Sequence, residues 1–105
     1  MKLWIDDIRP APQGYIWCKS VHETKLHIMQ HLDPDKRIRI EEINLDHDAG
    51  DYASQGGDYI KILDWLEEYE SYGNSIEFYI SIHSGNSVGR DNMMRIIKKN
   101  GWLNF

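Results

Sequence analysis

Hydrophobic and polar residues alternate in four short stretches of this chain. Leu3 and Ile5 alternate with Trp4 and Asp6, which predicts a strand ending in the pair Asp6-Asp7. Two prolines and a glycine crowd Pro10–Gly14, so the segment from Ile8 to Gly14 reads as a loop and not a helix. Tyr15 to Lys19 is a second strand, with Ile16 and Cys18 opposed to Tyr15 and Trp17. Ile38 to Leu45 is a third, ending in Asp46-His47-Asp48. The clearest runs from Ile76 to Ile82, where Ile76, Phe78, Ile80 and Ile82 alternate with Glu77, Tyr79 and Ser81; His83-Ser84-Gly85-Asn86 follows it.

Helical spacing fills the gaps. Ser20 and Glu23 form a capping-box pattern that opens a helix reaching about Leu32, with Val21, Ile28, Met29 and Leu32 as its buried stripe and Asp33-Pro34-Asp35 as its stop. After a glycine-rich loop from Ala49 to Gly57, a helix from about Asp58 to Tyr69 turns Ile62, Leu63 and Leu66 inward, and Ser71-Tyr72-Gly73-Asn74 breaks it. A last helix spans about Val88 to Lys99, with lysines in its final turn and Asn100-Gly101 closing it. The tail from Trp102 to Phe105 is too short to assign.

Strands separated by helices need crossover connections, which gives an α/β fold with an open parallel sheet of about four strands. The proline loop is the one connection without a helix. One sheet face is aliphatic (Leu3, Ile5, Ile43, Leu45, Phe78, Ile80, Ile82), and the three helices are expected to lie mainly on it. The other face carries Trp4, Tyr15, Trp17, Asn44, Tyr79 and Ser81 and has no helix of its own. The proline loop, the Trp102–Phe105 tail or a second copy of the chain, as a homodimer, must cover it, because a bare aromatic patch favours association.

Composition narrows this picture. At 105 residues and 12.4 kDa the chain, residues 1–105, is expected to form one domain. With 41% hydrophobic and 28% charged residues it has the balance of a globular protein, and a net charge of -5 speaks against broad electrostatic binding to nucleic acid. No apolar run is long enough to span a membrane, and the N-terminus lacks the layout of a signal peptide. Cys18, the one cysteine, excludes an internal disulfide and suits a reducing, cytoplasmic setting.

Ligands of open parallel sheets bind beyond the carboxyl ends of the strands. Asp6, Asp7 and Arg9 stand at one such end, Asp46, His47 and Asp48 at another, and His83, Ser84 and Asn86 at a third, with Arg90 on the first turn of the next helix. Strand parity sets Asp6, Asp46 and His83 on one side. Carboxylates from two strand ends suit a divalent cation, arginine and a helix N-terminus suit a phosphate, and histidine moves protons near neutrality. Together they suit phosphoryl chemistry. Other features read as structure. His27 and His31, at i and i+4 with Glu23 a turn earlier, lie on a solvated face; Cys18, Met93, Met94 and the tryptophans are packing residues. Gly56-Gly57 lacks the lysine of a phosphate-binding loop.

The layout resembles the receiver domain of two-component signalling, in which an acidic pair ends the first strand (here Asp6-Asp7) and an aspartate ends the third (here Asp46). The segment from Trp17 to Leu32 resembles the receiver's second strand and helix. The likeness implies a truncated, flavodoxin-like sheet in the order 2-1-3-4. The first helix is replaced by the proline loop, and the fifth strand with its lysine is missing. A closer likeness is to the cyclic-phosphate processing receiver-like family. It is carried by Leu3-Trp4-Ile5-Asp6-Asp7-Ile8-Arg9-Pro10, Leu45-Asp46-His47-Asp48, His83-Ser84-Gly85-Asn86 and Gly89-Arg90-Asp91-Asn92-Met93.

This resemblance implies a phosphoesterase acting on a cyclic-phosphate nucleotide or a cyclic RNA end. Asp6, Asp7, Asp46 and Asp48 would hold a divalent metal, magnesium or manganese. Arg9, Arg90, Ser84 and Asn86 would hold the phosphate, and Asp46, His47 and His83 would do the chemistry. Two other readings stay open: a receiver phosphorylated on Asp46, and a module that binds metal, phosphate or a partner without turnover.

Overall fold

The computed structural model describes residues 1–31 and 39–104. Its elements are β1 (Lys2–Ile5), β2 (Tyr15–Cys18), α1 (Val21–His31), β3 (Glu42–Leu45), α2 (Ile60–Ser71), β4 (Tyr79–Ile82) and α3 (Ser87–Asn100), with a 3₁₀ turn at Gly50–Tyr52. The sheet is parallel throughout, in the order β2-β1-β3-β4. This is the four-stranded parallel α/β sheet that the patterning predicts, in the order that the receiver resemblance implies.

Helices cover the aliphatic face. Leu3, Ile5, Ile43, Leu45 and Ile80 are fully buried and share one core with Val21 and Ile28 of α1, Ile62, Leu63 and Leu66 of α2, and Met93 and Ile97 of α3. Cys18 belongs to that core, where burial and the nearby Glu23 carboxylate push its thiol up to about 12.

The boundaries shift for physical reasons. The β4 ladder starts at Tyr79, not Ile76, because its partner β3 starts at Glu42 and the two are in register. β3 likewise starts at Glu42, with Arg39, Ile40 and Glu41 outside the ladder; Ile38 and the Asp33-Pro34-Asp35 stop lie outside the described residues, as do Leu32 and Phe105. On α1, Ser20 Oγ accepts from the Glu23 N–H and the Glu23 carboxylate accepts from the Lys19 N–H, so the capping box forms with its return bond one residue early. Met29 is 59% exposed; the inward stripe is Val21, Thr24 and Ile28, and Met29 lies a further 100° or so round the helix. α2 begins at Ile60, two residues later than expected, since the Asp58 carboxylate is turned back to accept from the Ala49 N–H. Gly101 closes α3 in the left-handed conformation, φ 67°.

Among the described residues, the tail lies along the outer edge of β4. Trp102 inserts into the core with its Nε1–H on the Glu70 carboxylate. The Ile80 N–H donates to the Leu103 carbonyl at 2.9 Å, and Asn104 Nδ2 donates to the Ile80 carbonyl. Residues 102–104 thereby satisfy the outer side of β4, where an unpaired strand would invite pairing with another chain.

Candidate functional site

The ladder continues one residue past the strand ends. Asp6 N–H donates to Cys18 O, Asp46 N–H to Ile5 O and His83 N–H to Leu45 O. Asp6, Asp46 and His83 therefore stand in one row at the carboxyl edge, on the face opposite the helices, as strand parity predicts.

Asp6 is the buried centre, 1% exposed. Its Oδ1 accepts from the Ile8 and Arg9 N–H groups, both at 2.9 Å, and its Oδ2 lies 2.9 Å from Nε2 of His83. Burial works to raise its pKa, but the Arg9 and Ile8 N–H groups and His83 outweigh it and hold the carboxyl below its ordinary value. The His83 ring is fixed on two further sides. Nδ1 lies 2.7 Å from Oδ1 of Asn44, and the ring stacks on the Trp4 indole with centroids 3.7 Å apart.

Oxygen atoms of Asp6, Asp7 and Asp46 lie within 4.8 Å of one another. Burial raises the pKa of Asp7, and the Asp6 and Asp46 charges add to that. Three crowded carboxylates from two strand ends, one of them resisting ionisation, are a donor set that fits a hard divalent cation. The fit is close on one side, because a Cβ on Gly50 (φ 53°) would land on the Asp7 carboxylate. Asp48 does not join this group. It lies with His47 and Asp58, its carboxylate 2.8 Å from His47 Nδ1, and that bond is the first cause of its lowered pKa.

The two arginines reach the same strand end from opposite directions. Arg9 Nη1 donates to the His83 carbonyl at 3.2 Å and Arg90 Nη1 to the Ile82 carbonyl at 3.0 Å. Each guanidinium is exposed and carries further N–H groups for an anion. Ser84 and Asn86 have backbone duties: Ser84 Oγ accepts from the Asn86 N–H, and Asn86 Oδ1 caps α3 by accepting from the Gly89 N–H. His47 packs its imidazole on Gly89, and only the missing side chain there leaves room for it.

Sequence reasoning missed three residues of this constellation. Glu42 and Asn44 lie inside β3 on the aromatic face and extend the polar network from His83, while Asp58 sits beyond a glycine-rich loop. A signal for the first two was present: a carboxylate and an amide at alternate positions of a strand, on the same side as Asp46.

A parallel sheet in this order, with an acidic cluster across the ends of its first and third strands, defines a receiver-like domain. A family model described as the cyclic-phosphate processing receiver domain matches residues 1–99, and the chain belongs to that family. Neither a curated protein nor a solved structure gives a match.

Proposed function

We propose that this domain is a hydrolase that opens cyclic phosphates, including 2′,3′-cyclic nucleotide or RNA ends. The observation that supports it best is His83 Nε2 at 2.9 Å from Asp6, with the Arg9 and Arg90 guanidiniums anchored on carbonyls of the same strand end. It supports a reading in which the ring carries the proton, the acid cluster takes a cation and the two guanidiniums take the phosphate.

Asp6, Asp7 and Asp46 would hold magnesium or manganese, which when bound supplies charge neutralisation and water activation. Arg9 and Arg90 grip the non-bridging phosphate oxygens and orient the ring. Water adds to phosphorus, one ring P–O bond breaks, and the released sugar oxygen takes a proton from His83 Nε2. The water's proton passes to a carboxylate of the cluster, and the product is a phosphomonoester. Asp48 orients His47 as a second proton carrier at the rim.

Phosphorus NMR on 2′,3′-cyclic mononucleotides and on a short RNA with a cyclic end tests this, with magnesium, manganese or EDTA. Turnover is expected with either metal, and loss of it in EDTA, in Asp46→Ala and in His83→Ala. Folded, metal-loaded protein that leaves every cyclic phosphate intact overturns the reading.

A further inference from the structure

β3 carries a carboxylate where the sheet gives packing no use for one. Glu42 is 6% exposed, on the aromatic face, two residues before Asn44. Its Oε2 accepts from the Tyr15 hydroxyl at 2.7 Å and from Asn44 Nδ2 at 3.1 Å. An ionised carboxylate accepts hydrogen bonds and cannot donate them. Asn44 must therefore turn its NH₂ toward Glu42 and its Oδ1 away. That Oδ1 lies 2.7 Å from His83 Nδ1, and an amide oxygen only accepts, so Nδ1 must bear a hydrogen. Nε2 is left facing the Asp6 carboxylate at 2.9 Å.

We propose that Glu42 is a positioning residue for His83: acting through Asn44, it commits Nδ1 to a standing N–H and leaves Nε2 as the nitrogen that faces Asp6 and the acidic cluster. With the Asn44 amide reversed, its NH₂ would face Nδ1 and the ring would carry its proton on Nε2 alone. Glu42 excludes that arrangement, because the reversed amide would set oxygen against oxygen in a buried site. His83's part in catalysis rests on the function proposed above; the assignment of its nitrogens does not.

The test is a two-bond proton–nitrogen correlation spectrum of the imidazoles in nitrogen-15-labelled, metal-free protein. His83→Gln identifies the His83 signals among the 5 histidines. In the unmodified protein, His83 Nδ1 is expected at the shift of a protonated ring nitrogen. Glu42→Gln keeps an oxygen that accepts from Asn44, and the same pattern is expected there. Glu42→Leu removes the acceptor, lets the Asn44 amide reverse and moves the proton off Nδ1; Glu42→Met serves if that variant does not fold. Retention in Gln beside loss in Leu is a signature that a merely structural role would not produce. An unprotonated Nδ1 in the unmodified protein overturns the proposal, and so does a folded Leu or Met variant with the unmodified pattern. With a cyclic phosphate, Glu42→Leu is expected to lower kcat by about 10²-fold at unchanged KM, while Glu42→Gln stays within about twofold. If no form of the protein turns over, the hydrolase reading fails and the nitrogen spectra still decide this one.

Discussion

The imidazole of His83 lies flat on the indole of Trp4, the two planes 6° apart. The same indole donates from Nε1 to the Arg9 carbonyl at 3.0 Å. One side chain thus supports both the His83 ring and the loop that bears the Arg9 guanidinium. Trp4→Leu removes both supports and is expected to reduce cyclic-phosphate turnover by about 10- to 100-fold, since small displacements of positioned groups cost that much. Trp4→Phe keeps a ring beneath His83 and should lose less. Rates by phosphorus NMR on the two variants check the order.

Asp7 and Asp6 carry opposite pH signatures. Asp6 is held below its ordinary value of 3.8, so its contribution to stability is present above that pH and is lost as pH falls through the lower folded value. Asp7 is raised, so its contribution is present below 3.8 and is lost as pH rises through the folded value. At pH 7, Asp7 therefore opposes folding. Asp7→Asn is expected to raise the thermal midpoint in EDTA at pH 7 and change it little at pH 3, while Asp6→Asn lowers it at pH 7. Added magnesium should stabilise the unmodified protein more than Asp7→Asn, because a cation that binds only the folded state adds its binding free energy. Melting curves at both pH values, with and without magnesium, read every arm.

Gly89 reverses a common rule. Alanine inside a helix is ordinarily more stable than glycine by about 0.5–1 kcal/mol. At Gly89 a Cβ would overlap the His47 ring, so Gly89→Ala is expected to destabilise by about 1–3 kcal/mol. His47→Ala/Gly89→Ala should restore the usual sign. A double-mutant cycle by urea unfolding measures the coupling.

Trp102 closes the core from beyond α3. At 8% exposure, with its Nε1–H on Glu70, it is expected to cost about 3–5 kcal/mol when replaced by alanine. Its loss also loosens the Leu103 and Asn104 bonds that cover β4, so Trp102→Ala should expose the edge. Calorimetry gives the first effect, and light scattering during heating gives the second.

Period-two alternation alone located the four strands, though not where β3 and β4 start, together with the aliphatic face and the row shared by Asp6, Asp46 and His83, because successive side chains of a strand point to opposite faces whatever surrounds them. Motif spacing was enough to bring Arg9 and Arg90 to the same edge. Tertiary structure alone decided the rest. Which carboxylates crowd together, why Asp48 turns to His47 instead, and that Glu42 reaches His83 through Asn44 all depend on the register between strands and on loops that fold back, as Asp58 does onto Ala49. Met29 shows the same limit on α1: its apolar character suited the stripe, but the neighbouring elements, absent from any local pattern, set which helix face became the inside.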